Sequence, residues 1–211
     1  MTNRNKVIAP YLEKSKIKAE ADSFRIKYWG NTIPVDIEHI VEIKLCMNIV
    51  PVKNLKQSLD VEAGILSNWE DIIVDHDSYH KERCFTRLKF SLAHEIGHFV
   101  LHKELFQSLG ITSEKNYREF TEEKTKSDCT FHDRAETQAS IFANMLLVPR
   151  EELFLRKEAL LKNKKSELGK LKIEDEENLN PYLAIHLSRE FDVSEDVMNI
   201  ALCNLKIDLT Y

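Results

Sequence analysis

Glycine and proline are scarce in this chain, five of each among 211 residues. That scarcity excludes collagen-like, flexible-linker and proline-rich architectures. Set against abundant Leu, Ile, Lys and Glu, it points to a mostly helical protein. Cysteine is sparse too. Cys46, Cys84, Cys129 and Cys203 stand far apart with no Cys-x-x-Cys pair, which excludes a disulfide framework and a cysteine zinc site and suggests reduced, mostly buried thiols. No stretch approaches 18 apolar residues, so no membrane-spanning helix is expected. The first thirty residues carry charges throughout and lack the apolar centre of a secretion signal, so a cytoplasmic protein is expected. An excess of positive charge is missing as well. A net charge of −5 argues against a broad nucleic-acid footprint.

What remains is a balanced globular composition, 43% hydrophobic and 31% charged, in a chain long enough to bury a substantial core. Residues 5–28 read as an amphipathic helix, so 1–32 is expected to form an N-terminal helical extension. Ile33-Pro34-Val35-Asp36 opens a second helix, with a proline ahead of an acidic first turn. Asn48–Val52 is a strand candidate, and Ala63–Ser67 with Asp71–Asp75 read as a hairpin. The polar run 107–131 is expected to be an exposed loop or insert. Helical periodicity returns at Arg134–Leu147 and stops at Val148-Pro149. The segment 156–178 mixes charges of both signs, as solvated helix faces do. Two short helices, about 180–191 and 194–205, close the chain. The expected class is α+β, mainly helical, with a small sheet packed on a central helix.

That central helix carries His94-Glu95-Ile96-Gly97-His98. Residues four apart stand one above the other on a helix, so two imidazoles at 94 and 98 can each reach one zinc ion at roughly 2.0–2.1 Å. Glu95 lies about 100° round the helix from His94, where it can touch a metal-bound water without ligating the metal and so serve as general base. Leu92, Ile96 and Phe99 form an apolar stripe, which places the motif on a half-buried helix. Gly97 is either a tolerated small residue or the mark of a second backbone approaching between the two histidines.

A catalytic zinc has three protein ligands and one open position. His102 lies about 12 Å from His94 along a straight helix, so the three histidines cannot meet on one ion. The third ligand is expected from a later helix folded against the first. In Arg134–Leu147 the residues Ala135, Ala139, Phe142, Ala143 and Leu146 form a packing face that permits close approach. Glu136 beside that face is the foremost candidate, with Asp133 and His132 as rivals.

The stretch Arg87-Leu88-Lys89-Phe90-Ser91-Leu92-Ala93-His94-Glu95-Ile96-Gly97-His98-Phe99-Val100-Leu101-His102, and then Glu136-Thr137-Gln138-Ala139-Ser140-Ile141-Phe142-Ala143-Asn144-Met145-Leu146-Leu147-Val148-Pro149, resemble in that order the two signatures of the ImmA/IrrE zinc metallopeptidases. The likeness extends to Ile33–Glu38 and to Phe191-Asp192-Val193-Ser194, and so spans roughly 33–200. It implies a zincin-like domain over 33–211, with His94, His98 and Glu136 as zinc ligands and Glu95 as catalytic base. It further implies a site-specific endopeptidase acting on a separately encoded helix-turn-helix repressor, as in mobile elements, prophages or stress control. Departures are mild: Lys89 for Arg, Ser91 for Thr, Val148 for Met. Tyr79 and His80 precede the motif helix, and nothing in the sequence fixes their place or names an oxyanion-stabilising group. His102 reads as a supporting residue.

Two rival classes stand beside this reading. The pair Leu183–Phe191 and Ser194–Leu205 has the rhythm of a helix-turn-helix. Its second helix, however, contains Glu195 and Asp196 and no Lys or Arg, against the positive charge that phosphates require; direct nucleic-acid binding is not expected. A catalytically silent zinc-binding interaction module, antitoxin-like in action, is the second rival. A purely structural site has no use for Glu95 and favours four closed ligands.

Overall fold

The computed structural model describes residues 9–81, 84–125, 130–168 and 176–207, and side chains outside 123–133, 163–178 and 206–207. A three-stranded sheet and a set of helices build the fold around one long helix. Helix α1 (Lys14–Tyr28) is followed by a short α2 (Ile37–His39) that widens into a π-helical turn through Lys44. Asp36 starts α2 by accepting the His39 N–H at 3.0 Å, satisfying one of the donors that a helix start leaves open.

Strand β1 (Asn48–Val52), helix α3 (Leu55–Leu59), β2 (Ala63–Ile65) and β3 (Asp71–Asp75) come next. The sheet order is β1-β3-β2. β1 runs parallel to β3, pairing Asn48 with Asp71, and β2 runs antiparallel, pairing Ala63 with Val74. The expected hairpin is therefore present, and β3 is its central strand. Asp75 ends β3 and ties down two helix starts: its carboxylate accepts the Lys56 N–H of α3 at 2.9 Å and the Ser78 N–H of α4 (His76–His80) at 3.0 Å.

Alternation along the strands gives the sheet two apolar faces. Ala63, Ile65, Ile72 and Val74 join the main core under helix α5 (Phe85–Leu101), together with Leu88, Leu92, Ala93 and Ile96. Ile73 and Val52 point the other way, into a second cluster with Leu55, Leu66, Leu109 and Ile111.

That second cluster corrects the expected exposed insert at 107–131. Its described part is helical: α6 (Lys103–Leu109) and α7 (Glu114–Thr125). Leu109 and Ile111 are buried, and Tyr117 and Phe120 pack on the cluster. The charged residues of α7 mask a narrow apolar stripe made by Tyr117 and Phe120.

Helix α8 (Thr130–Leu147) lies against α5, with Ala135, Ala139, Phe142, Ala143 and Leu146 all buried, as the sequence pattern predicts. Helix α1 is no appendage. Ile17, Ala21 and Phe24 are in the main core, and the Phe24 ring meets Phe142 edge-on at 6.0 Å. Such side chains contribute about 1.5–3 kcal/mol each when fully removed from water.

Helices α9 (Arg150–Leu168), α10 (Glu176–Phe191) and α11 (Glu195–Ile207) complete the described chain. Leu183, Leu187 and Phe191 of α10 and Met198, Ala201 and Leu202 of α11 are core residues. Within the mixed-charge segment 156–178, the described part is helical and Arg156 pairs with Glu152 and Glu190; residues 169–175 lie outside the described residues. The expectation of mostly buried thiols is also corrected. Cys46 and Cys203 are exposed and Cys84 is partly so, while Cys129 lies outside the described residues. Among the described residues no helix is long and apolar enough to cross a membrane.

Candidate metal centre and active site

The centre of the site is the contact between α5 and α8. A Cβ added to Gly97 would stand 3.0 Å from both the Cα and the carbonyl oxygen of Ala139. Gly97 therefore marks a second backbone passing between the two histidines, the stronger of the two readings its position allowed. With Ala139 opposite, the two helices approach closely enough for side chains of α8 to reach those of α5.

His94, His98 and Glu136 converge there. The His94 and His98 Nε2 atoms are 3.1 Å apart, and Glu136 Oε2 lies 2.9 Å from His94 Nε2 and 3.6 Å from His98 Nε2. Three atoms each roughly 2.0–2.1 Å from a tetrahedral ion lie about 3.3 Å from one another, so this triangle has the size of a metal site. The donor set agrees: two imidazoles and a carboxylate suit a borderline-soft divalent ion. Among the described residues this trio is the group able to hold a metal ion. The side chains of Asp133 and His132, the alternatives weighed beside Glu136, lie outside those described.

Burial sets the charge state of the centre. His98 is 2% exposed, and this burial holds its pKa down to about 4 against the nearby Glu136 carboxylate, which pulls the other way. Neutral imidazole is the form that binds metal.

Glu95 is also buried, at 7% exposure. Its Oε2 accepts the Ile65 N–H of β2 at 2.8 Å. The edge strand thus orients the carboxylate, a contact invisible in the sequence because thirty residues separate the partners. The cleft beside it is lined by Ala63, Phe90, His94, Glu136, Tyr117 and Phe120, among others.

Tyr117 is the cleft residue that sequence reading missed. Its ring tip lies against Gly64, where a Cβ would overlap it, and its hydroxyl is 3.5 Å from the Ala63 carbonyl oxygen. Burial, reinforced by the Glu95 and Glu136 charges, raises its pKa well above the ordinary phenol value, so it keeps its proton. The signal was a glycine in a strand, which often marks close approach of another group. Tyr79 packs on the main core and His80 meets the His76 ring edge-on; neither is among the residues lining the cleft.

Lys89, which replaces an arginine of the family block, pairs with Asp192 in the α10–α11 turn. One cation substitutes for another and ties the motif helix to the closing signature. His102 is buried and reaches the site indirectly, its Nδ1 lying 3.1 Å from His98 Nδ1.

Residues 84–202, more than half of the chain, match the IrrE N-terminal-like domain of the M78 peptidases. The chain belongs to the ImmA/IrrE family. The match covers the whole of α5, with Glu95 and both histidines, and the described part of α8 carrying Glu136. No curated protein matches the chain. Membership supports a metallopeptidase-like function for the domain.

Proposed function

We propose that this chain is a zinc-dependent endopeptidase that cuts a separately encoded helix-turn-helix repressor at a defined bond. The observation that carries the hydrolytic part is the convergence of His94, His98 and Glu136 within 2.9–3.6 Å of one another, with Glu95 anchored beside them by the Ile65 N–H. His94, His98 and Glu136 would hold the zinc ion, which would supply Lewis acidity towards a peptide carbonyl and acidify a water in the cleft. Glu95 is placed to take a proton from the attacking water and return it to the leaving amine. Proton transfer by a positioned carboxylate contributes about 10²–10⁴-fold. Having one oxygen fixed to the strand keeps Glu95 from turning onto the metal, so it acts as base and not as ligand. The repressor as substrate follows from the resemblance to ImmA/IrrE members.

The test takes the helix-turn-helix protein encoded beside this gene and incubates it with wild-type chain and with Glu95→Gln, reading intact mass. The expected result is one discrete cut made by the wild type alone, with turnover down at least about 10²-fold in the variant and its zinc content unchanged. Zinc lost from Glu95→Gln would make Glu95 a ligand and overturn its role as base. Glu136→Ala is expected to lose zinc, and full retention would remove Glu136 from the ligand set. A partner left whole but stably bound by zinc-loaded protein would replace this reading with a zinc-dependent interaction module.

A further inference from the structure

A line of hydrogen bonds runs from the segment ahead of α1 to the back of the metal triangle. Gln138 Nε2 donates to the Pro10 carbonyl oxygen at 2.9 Å. Gln138 Oε1 lies 2.8 Å from His102 Nε2, and His102 Nδ1 lies 3.1 Å from His98 Nδ1. Gln138, His98 and His102 are all buried.

The proton positions along this line follow from chemistry alone. A carbonyl oxygen only accepts, so the Gln138 atom facing Pro10 is the amide nitrogen and the atom facing His102 is the oxygen. That oxygen also only accepts, so His102 carries its proton on Nε2. A neutral imidazole with Nε2–H has a bare Nδ1, which accepts. The His98 proton therefore sits on Nδ1, and His98 Nε2 presents a lone pair towards His94 and Glu136.

We propose that Gln138 and His102 are positioning residues that lock His98 in its metal-binding tautomer, with the Pro10 carbonyl as the fixed end of the relay. The proposal rests on the reading of His98 as a metal ligand. It also brings into the site a segment that lies outside the family match, which begins at residue 84. Ala9 and Pro10 are held in place for this purpose: Ala9 is buried against Leu105 and Ala135, and the Arg134 guanidinium bonds the Ala9 carbonyl at 3.4 Å. His94 Nδ1 lies 3.2 Å from the Ser140 hydroxyl, which can donate or accept and so dictates neither tautomer.

The test is a long-range proton–nitrogen NMR correlation on the full-length, ¹⁵N-labelled, metal-free chain, which reads the protonated nitrogen of each ring. The expected result is Nε2–H on His102 and Nδ1–H on His98. His98 found with its proton on Nε2 overturns the relay outright, and this measurement needs no variant that might misfold. Gln138→Leu and His102→Phe are expected to mix the His98 tautomers and to weaken zinc binding, in competition with a chelator, by about 10–100-fold. An unchanged tautomer and unchanged zinc affinity in both variants would overturn the positioning role. A wild type with the expected tautomers that binds no zinc leaves the relay standing and refutes the metal reading of the site.

Discussion

Two glycines stand at the two walls of the cleft, and they are met by different kinds of neighbour. At Gly97 the neighbour is the backbone of Ala139 in α8, 3.0 Å from where a Cβ would be. At Gly64 it is the ring tip of Tyr117, a side chain reaching over from α7. Backbone inside a packed helix cannot give way, whereas a side chain can turn at χ1. The first wall sets the geometry of His94, His98 and Glu136 and is rigid; the second covers the edge strand and can yield. The trio able to hold a metal ion sits on the wall that cannot move.

The largest effect is expected from forcing the rigid wall. Gly97→Val should push α8 away from α5, costing about 3 kcal/mol or more as an overpacked contact. It should also pull Glu136 off the histidines, so that thermal unfolding and chelator competition both shift. A variant that loses stability but keeps full zinc affinity would show that the two helices do not set the ligand triangle.

Acid probes the same wall without a mutation. The buried His98 has a folded-state pKa of about 4 against 6.5 for its ordinary value, so on acidification the unfolded chain takes up the proton first. The stability contributed by neutral His98 is therefore complete above about pH 6.5 and lost as pH falls towards about 4, with a slope of up to about 1.4 kcal/mol per pH unit. Thermal unfolding of the metal-free protein across this window is expected to show the loss, and His98→Asn is expected to flatten it. An equal slope in both proteins would assign the acid sensitivity to another group.

The yielding wall should respond less. Tyr117→Ala is expected to cost about 1–3 kcal/mol, less than a fully buried aromatic, while zinc affinity stays within a few-fold. Zinc loss in this variant would erase the difference between the two walls. The smallest effect is expected for Gly64→Ala, about 1 kcal/mol, because the ring can rotate away. In the double variant that cost should vanish, since neighbours that clash are not additive; additive costs would mean that the ring never occupied the space.

The same contrast explains what was legible in the sequence. His94, His98, Gly97 and the alanine-rich face of α8 express a helical period, and local periodicity survives into the fold, so this wall could be read residue by residue. The strands Asn48–Val52, Ala63–Ile65 and Asp71–Asp75 were legible for the same reason. The α7 wall was not. Twelve residues with seven acids and bases around Tyr117 and Phe120 resemble solvated chain, because only a narrow stripe is buried and its partners, Gly64 and Ile73, are forty or more residues away. Nor did the sequence show how Glu95 is held, since a backbone N–H carries no side-chain signature. His102 was legible as a supporting residue but not as a link to Gln138, which lies on another helix.

The hydrogen bond from Ile65 to Glu95 has one more consequence. Side chains on a strand alternate in direction, so a slip of β2 by a single residue against β3 would turn Gly64 towards α5 and drive Ala63 or Ile65 into the ring of Tyr117. The same slip would carry the Ile65 N–H away from Glu95. A chain folded out of register would thus lose the anchor of Glu95 along with its packing. The sheet works as a gauge on the finished fold: Glu95 takes its place beside the two histidines only with correct strand pairing.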